Sequence, residues 1–174
     1  MTPPLAKFFT GVILSPEIER SSLISALEEA WGRADVISPE FPFLSTDYYT
    51  REMGQGLIRF FVSFSPLQDP ASLPRWKEEA ALLEQKWTRN GARRVNLDPG
   101  YMDTFKVVLA SFKEGGQKLY LGRGVWGDMT LQYRKGEWVP FPWTFPDFAC
   151  GTYHAVLNEI RQKLKEDNKL QHKC

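Results

Sequence analysis

Apolar and polar positions alternate along the first part of the chain in a way that predicts a strand followed by a helix. Residues 5–14 are apolar on both faces apart from Lys7 and Thr10, which is typical of a central strand. The Ser-Pro-Glu sequence at 15–17 then offers an N-cap hydroxyl, a first-turn proline and an acid. We therefore expect a helix to begin here and to end at Gly32.

The same reasoning predicts four further elements before residue 100. A short strand is expected at 34–38, and 57–64 has the period-2 alternation of a strand. A second helix is expected to start at Asp69-Pro70 and to stop at Asn90-Gly91, before a strand at 93–97. The order strand, helix, strand, strand, helix, strand is that of a split βαβ, or ferredoxin-like, fold.

The second half has the pattern of antiparallel hairpins and a closing helix. Strands are expected at 105–112, 118–121, 129–134 and 137–139, separated by Gly-containing turns. An amphipathic helix follows, with Tyr153, Val156, Leu157, Ile160 and Leu164 on one face. We expect one α+β domain over 1–165, made of a ferredoxin-like half (1–100) and a β-rich extension with the closing helix (101–165). Residues 166–174 are expected to form a flexible tail.

Composition and charge narrow the class of protein. The chain has 22 Lys and Arg against 21 Asp and Glu, a net charge of +1, so bulk neutralisation of nucleic-acid phosphates is disfavoured. No apolar run approaches the roughly 20 residues of a membrane span, and the N-terminus lacks a secretory pattern. Two cysteines do not suggest a disulfide-stabilised secreted domain. We expect a soluble, cytoplasmic protein.

Familiar catalytic and nucleotide-binding motifs are weak or missing. The chain lacks a G-x-x-x-x-G-K-[ST] phosphate loop, and the G-x-G-x-x-G match at 122–127 lies between predicted strands, which favours a tight β-turn. Cys150 and His154 have i, i+4 spacing, but a buried thiol and a packing histidine explain them as well as a nucleophilic pair does.

Polar residues follow the strand predicted at 93–97. Pro99-Gly100 fits the centre of a type II turn, which would aim Asp98 and Tyr101 out of the sheet beside Asn96. The alternative is a simple Asx-capped turn.

A second polar cluster surrounds Asp147. This carboxylate either caps the last helix or lies beside Asp98. In the second case the two acids, with Glu40 or Asp47, could hold Mg²⁺, the one cofactor that the residues suggest. Cationic side chains on the intervening strands could then bind a phosphate: Lys106, Arg123 and Arg134.

Several stretches resemble the bacterial and archaeal family catalogued as domain of unknown function 4416. The matching stretches are RRVNLDPGYMDTFKVVLAS (93–111), KLYLGRGVWGDMTLQYRKGEW (118–138), PWTFPDF (142–148) and YYTREMG (48–54). Members are sometimes labelled GTP-binding, but this sequence has neither a phosphate loop nor an N-K-x-D motif. It also has Trp-Gly-Asp at 126–128 where relatives have an aromatic-Ala-Glu, and Phe at 145 and 148 where they have Tyr.

The first functional hypothesis is a protein that binds, and in one version acts on, a small anionic or phosphorylated ligand between the two halves. This hypothesis rests on polar residues within otherwise apolar strands, because buried polar groups pair with each other or with a ligand. Asp98 would be the general base or metal ligand, and Lys106 and Arg123 the anion clamp. The other ligand-binding candidates are Asn96, Tyr101 and Asp147.

Two alternatives stay open at this stage. One is a protein-interaction or assembly module, such as a homodimer, in which Trp126, Trp138 and Trp143 form an interface. The other is a single-stranded RNA binder that stacks bases on an open sheet, although the neutral charge makes nucleic acid the less favoured partner. Its candidate residues are Phe60, Tyr120, Tyr133, Arg93, Arg94, Arg134 and Lys135.

Overall fold

The computed structural model describes residues 3–44 and 47–171. The strands are β1 (Lys7–Leu14), β2 (Ala34–Ile37), β3 (Phe41–Pro42), β4 (Ile58–Phe64), β5 (Thr88–Arg89), β6 (Ala92–Arg93), β7 (Val95–Met102), β8 (Lys106–Ser111), β9 (Lys118–Gly122), β10 (Val125–Arg134) and β11 (Glu137–Pro140). The helices are α1 (Arg20–Trp31), α2 (Asp47–Met53), α3 (Leu73–Gln85), α4 (Pro146–Ala149) and α5 (His154–Gln171), with a 3₁₀ turn at Pro70–Ser72.

The fold is α+β, and its centre is a large antiparallel sheet. Along the sheet the strands follow the order β11-β10-β8-β7-β1-β4-β2, with β3 beside β4 and β9 beside β10. Every registered strand pair among the described residues is antiparallel. Strands β5 and β6 form a separate small hairpin.

Helices cover both faces of this sheet. Alternate side chains of β4 enter different cores: Phe60 packs with residues of α1 and α3, whereas Phe61 packs with residues of α4 and α5. Both rings are fully buried, so the period-2 pattern at 57–64 separates two apolar cores rather than a core from solvent. Among the described residues, no helix is both long and apolar enough to cross a membrane.

The local signals of the first half are largely confirmed. Gly32 ends α1 with a φ of 97°, and a Cβ there would lie 2.7 Å from the Ser65 carbonyl oxygen. Helix α1 begins at Arg20, later than the sequence predicts, because a turn in which Ile18 N donates to Ser15 O precedes it. The Asp69 carboxylate accepts from Ala71 N at 2.8 Å and caps the helical segment before α3.

The prediction that the second helix reaches Asn90-Gly91 is wrong. Helix α3 ends at Gln85, and the chain turns back on itself between β5 and β6. Asn90 and Gly91 have φ values of 52° and 76°, which are the values of a two-residue hairpin turn. The Asn-Gly sequence therefore marks a hairpin here and not a helix end.

The predicted turn at Pro99-Gly100 is also wrong, because both residues lie within β7, opposite Thr10 and Phe9 of β1. The amide of Leu97 points away from β1, since it donates to a side chain of α3. Pro99, two residues later, has its nitrogen on the same side. Pairing with β8 begins only at Gly100, so the proline removes no ladder hydrogen bond.

The hairpins and the closing helix of the second half are confirmed. Residues 122–124 all have positive φ and form the tight turn between β9 and β10. Helix α5 buries the predicted face from Val156 to Leu164 and continues to Gln171. The predicted tail, 166–174, thus lies in α5 as far as Gln171, and 172–174 lie outside the described residues.

Candidate functional site

The candidate site lies where β7 and β8 separate. The two strands are paired only from Gly100 to Met102, so the preceding half of β7 has β1 as its neighbour on one side and no strand on the other. A cavity of about 480 Å³ occupies this position. Residues from both halves of the chain line it, including Phe43, Arg59, Asn96, Asp98, Lys113, Asp128 and Asp147.

Side chains of α3 bind the free backbone edge of β7. The Glu84 carboxylate accepts from Leu97 N at 2.7 Å, and Lys77 Nζ donates to Leu97 O at 3.1 Å. Burial raises the pKa of Glu84, and the hydrogen bond from the Leu97 amide opposes that shift. These two contacts satisfy the peptide groups that a strand would otherwise pair, and so they keep the gap open.

A buried arginine joins two carboxylates beside the gap. Arg59 is 5% exposed, and its Nη2 donates to Asp98 Oδ2 at 3.0 Å. Its Nη1 lies 3.9 Å from Asp147 Oδ2, which also accepts from the Tyr153 hydroxyl at 3.1 Å. Burial, first of all, raises the pKa of the Tyr153 hydroxyl, so this group donates throughout the physiological pH range. Asp98 and Asp147 therefore converge on one guanidinium.

A glycine in β1, Gly11, lies beside the Arg59 guanidinium and the Phe61 ring. Gly11 pairs with Phe61 of β4 on one side and with Asp98 of β7 on the other. A Cβ on Gly11 would lie 3.5 Å from Arg59 Nη1 and 3.2 Å from the Phe61 ring. The guanidinium carbon also lies 5.1 Å from the centre of the Phe43 ring, within cation–π range.

A second arginine fixes the orientation of Asn96. Arg93 donates from Nη1 to Asn96 Oδ1 at 2.9 Å, and it forms two 2.8 Å hydrogen bonds to the Glu52 carboxylate. The hydrogen bond from Arg93 lowers the pKa of Glu52, and the same contact raises the pKa of Arg93. Because Asn96 Oδ1 accepts from Arg93, the Nδ2 atom of Asn96 points away from Arg93. That nitrogen is buried and has no partner among the described residues.

Asp128 of β10 is a buried carboxylate in the cavity wall. Its residue is 6% exposed, and Oδ1 accepts no hydrogen bond from the described residues. Lys118 Nζ lies 3.9 Å from Oδ2, which is beyond hydrogen-bonding distance. Burial raises the pKa of Asp128, and the charge of Lys118 opposes the shift.

Three lysines gather around the segment that follows β8, and we call them the basic rim: Lys77, Lys113 and Lys118. Lys118 Nζ donates to Ser111 Oγ and to Lys113 O, each at 3.1 Å. Lys77 Nζ lies 5.5 Å from the centre of the Phe112 ring. Among the described residues, none of the three ammonium groups donates a hydrogen bond to a carboxylate, although Lys118 is within ion-pair range of Asp128 at 3.9 Å and the charge of Lys77 acts on Glu84.

Comparison with known proteins identifies the family. A family model described as domain of unknown function (DUF4416) matches residues 4–164. The chain belongs to the DUF4416 family. The resemblance seen in the sequence motifs is thereby confirmed. No curated protein and no solved structure matches the chain. The matched range includes every residue that lines the cavity, so the cavity lies within the part of the chain that the family model covers.

Three of the six predicted site residues of this DUF4416 protein line the cavity: Asn96, Asp98 and Asp147. Tyr101 faces the opposite side of the sheet, where its ring lies 6.0 Å from that of Phe8. Tyr101 follows Asp98 by three positions, and an odd separation on a strand puts two side chains on opposite faces. Only a turn would have brought them together, and no turn is present at these residues.

The predicted anion clamp of Lys106 and Arg123 does not lie at the cavity. Lys106 pairs with Asp103 at the start of β8. Arg123 is exposed on the turn between β9 and β10, where its Nη2 lies 2.6 Å from Glu78 of α3. The structure therefore does not bring these two side chains to Asp98.

The described residues include no group of three or more His, Cys, Asp or Glu arranged to hold a metal ion. Glu40, one of the predicted ligands, pairs with Arg20 instead, and Arg59 stands between Asp98 and Asp147. A guanidinium therefore occupies the position between the acids that the sequence hypothesis gave to Mg²⁺.

Two aromatic side chains that were expected at a binding surface are buried. Phe60 is fully buried in the core under α1 and α3, so it is no platform for stacked bases. Trp138 is 5% exposed and donates from Nε1 to Asn158 of α5. Both corrections follow from helices covering the two faces of the sheet, which the hypothesis took to be open.

Sequence reasoning named Arg93 only as a candidate contact for RNA, and it missed the other cations that line the cavity: Arg59, Lys77, Lys113 and Lys118. Arg59 had a usable signal, since it is a lone charge within the apolar run 57–64, and a buried charge needs partners. The lysines of the basic rim had no such signal in the sequence, because they come from α3, a loop and β9 and lie close together only in the folded chain.

Proposed function

We propose that this protein binds a small anionic, phosphorylated ligand in the cavity between β7 and β8. The observation that carries the proposal is the basic rim, whose three ammonium groups contact neutral oxygens and aromatic rings at close range. Among the described residues, five cations and three carboxylates line the cavity, and this excess of positive charge in a partly enclosed, largely apolar cavity favours an anion.

We also propose that residues 1–100 form a ferredoxin-like half and that the remaining strands extend its sheet. The order β7-β1-β4-β2 and the antiparallel pairing support this interpretation. The cavity then lies at the junction of this half with the β-rich extension, where a ligand contacts both.

For Asp98 we propose a binding role in place of general-base catalysis. Its Oδ2 accepts from Arg59, so the hydrogen bond occupies the oxygen that a general base would offer to a substrate proton. Asp98 and Asp147 would thus hold Arg59 in place at the cavity wall, and binding is the activity that the contacts support best.

The experiment is a thermal-shift screen followed by calorimetric titration. Purified protein is screened against inorganic phosphate, pyrophosphate, sugar phosphates, nucleotides and organic acids, with and without Mg²⁺. A ligand at about a hundred times its Kd adds about 2.7 kcal/mol to the free energy of unfolding, which is visible as a rise in Tm. We expect a phosphorylated compound to raise Tm and added salt to weaken it.

Lysine variants decide whether the basic rim is responsible. Lys113→Met and Lys118→Met should each weaken binding of the compound found in the screen. Lys165→Met, which removes the same charge from the exposed side of α5, is the matched control and should bind like the parent. Equal affinity in all three variants would contradict the proposal, as would a screen in which no anion binds.

A second candidate function, self-association, is favoured by the exposed apolar side chains of β9. Leu119 and Tyr120 are 73% and 60% exposed, on a strand whose described partner is β10 alone. Light scattering after size-exclusion chromatography tests it. A dimer that Leu119→Lys converts to monomer supports this candidate, and a monomeric parent protein excludes it at the concentrations used.

A further inference from the structure

Two buried polar atoms in the cavity wall lack a hydrogen-bond partner among the described residues. One is a donor, Nδ2 of Asn96, and the other is an acceptor, Oδ1 of Asp128. Asn96 is 4% exposed and Asp128 is 6% exposed, so bulk water has little access to either. Buried polar groups in folded proteins are almost always hydrogen-bonded, and an exception at a cavity points to a ligand.

The two atoms have opposite hydrogen-bonding character, and neither can exchange its role. Arg93 holds the Asn96 oxygen at 2.9 Å, which leaves the NH₂ group as the free end. An ionised Asp128 can only accept. A ligand that satisfies both must therefore present an acceptor to Asn96 and a donor to Asp128, and a fully ionised anion such as sulfate does not supply that donor.

The charge around Asp128 selects the kind of donor. Lys118 Nζ lies 3.9 Å from its Oδ2, and the other lysines of the basic rim line the same cavity. These cations weaken the attraction of Asp128 for an ammonium group on the ligand, whereas they do not oppose a hydrogen bond from a neutral hydroxyl. A hydroxyl that donates to a carboxylate also forms a charge-assisted, strong hydrogen bond.

We propose that the ligand is a polyhydroxylated phosphate, with its phosphate at the basic rim, a hydroxyl donating to Asp128 Oδ1 and an oxygen accepting from Asn96 Nδ2. This assignment rests on the proposed function and deepens it, because it names the substrate class of the same cavity. Asp128 and Asn96 are then the residues that determine specificity, and the lysines supply the charge attraction common to all phosphates.

A matched pair of ligands isolates the hydroxyl contribution. Glycerol phosphate and propyl phosphate have the same carbon chain and the same anionic group, and they differ in their hydroxyls. Titration calorimetry on the 174-residue protein should give a Kd at least about tenfold lower for glycerol phosphate, the size expected for one hydrogen bond to a charged group. Equal Kd values would overturn the inference and leave the proposed function standing.

Variants then assign the effect to the named residues. Asp128→Ala should remove the preference for glycerol phosphate while propyl phosphate binds as before, and Asn96→Leu should weaken glycerol phosphate. Glu159→Ala, on the exposed side of α5, removes a carboxylate outside the cavity and should keep the full preference. Asp128→Asn preserves shape, so a reduced preference there gives the same answer if the alanine variant fails to fold.

The outcomes separate the two proposals. If neither phosphate binds the parent protein, this inference fails, and if no anion of the screen binds either, the proposed function fails with it. If both bind and Asp128→Ala or the isosteric Asp128→Asn retains the full preference for glycerol phosphate, the assignment of Asp128 is wrong although the cavity binds phosphates.

Discussion

Arg59 on β4 and Asp98 on β7 form an ion pair over β1, the strand that separates them, with Nη2 donating to Oδ2 at 3.0 Å. Gly11, the β1 residue opposite Asp98, lies beside the guanidinium, and a Cβ there would be in ordinary van der Waals contact with Nη1 at 3.5 Å. The ion pair ties the free half of β7 to the first core strands, and the cavity begins at that edge.

Replacing Arg59 should cost stability as well as cavity structure. In Arg59→Met, the largely buried carboxylates of Asp98 and Asp147 lose their common cation. Leaving one partner of a buried ion pair alone typically lowers the free energy of unfolding by about 3 kcal/mol. Urea denaturation followed by circular dichroism measures the change.

An exposed arginine provides the comparison. Arg75 pairs with Glu79 on the surface of α3, and its side chain is 59% exposed. Arg75→Met should lower the free energy of unfolding by less than about 1 kcal/mol, as is usual for surface ion pairs. Similar losses in both arginine variants would contradict a special role for Arg59.

Gly100→Ala should destabilise the protein where β7 first meets β8. A Cβ at this position would lie 2.6 Å from the Val108 carbonyl oxygen and 2.7 Å from Leu109 Cδ2. Overpacking of this kind costs about 1–3 kcal/mol in the free energy of unfolding, with the upper end expected because one neighbour is backbone. Gly116→Ala, where a Cβ would meet nothing within 4 Å, should leave the midpoint of thermal unfolding nearly unchanged.

Asp128→Asn should raise Tm in the absence of ligand, and the gain should depend on pH. Burial raises the pKa of Asp128 above its ordinary 3.8, so the folded protein binds this proton more tightly than the unfolded chain does. Ionisation therefore weakens folding as pH rises through the folded pKa. The gain in Asp128→Asn is expected to be largest at neutral pH and to shrink as pH falls toward about 3.8.

Calorimetric Tm values for both proteins across this pH range provide the test. A Tm difference that is independent of pH would show that ionisation of Asp128 does not lower the stability of the folded protein as expected. If Asp128→Asn is more stable yet binds glycerol phosphate less well, the loss of stability caused by the ionised Asp128 is linked to ligand binding. Functional groups are often retained at the expense of stability.

Asp167 should contribute to stability although it lies in the predicted tail. Its Oδ2 accepts from Lys7 Nζ at 2.6 Å, and Lys7 is fully buried. Asp35 also binds Lys7, so Asp167→Ala leaves one carboxylate in place and should lower the free energy of unfolding by about 1–2 kcal/mol. Its neighbour Glu166, which pairs with Lys163 at the surface, is the control: Glu166→Ala should have a much smaller effect in the same denaturation experiment.

Local chemistry in the sequence was sufficient for many elements of the fold and insufficient for the cavity. The cap at Asp69 and the alternation at 57–64 are decided by neighbouring residues, and both are found in the structure. Pro99 was mistaken for a turn residue because a proline inside a strand is tolerated only where the partner strand diverges. No local pattern predicts that divergence of β7 from β8. Nor does one predict that Lys77 and Lys118 line the same cavity, because both features arise only from tertiary packing.

The central claim is that the cavity between β7 and β8 binds a phosphorylated ligand, and titration of isotope-labelled protein by nuclear magnetic resonance tests it most directly. Glycerol phosphate is added while the backbone amides and the Asn96 side-chain NH₂ are observed. The account predicts saturable shifts that are largest at the Asn96 side chain and at residues 111–113, which line the cavity. Saturable shifts confined to other parts of the chain, or no shifts at millimolar ligand, would contradict it.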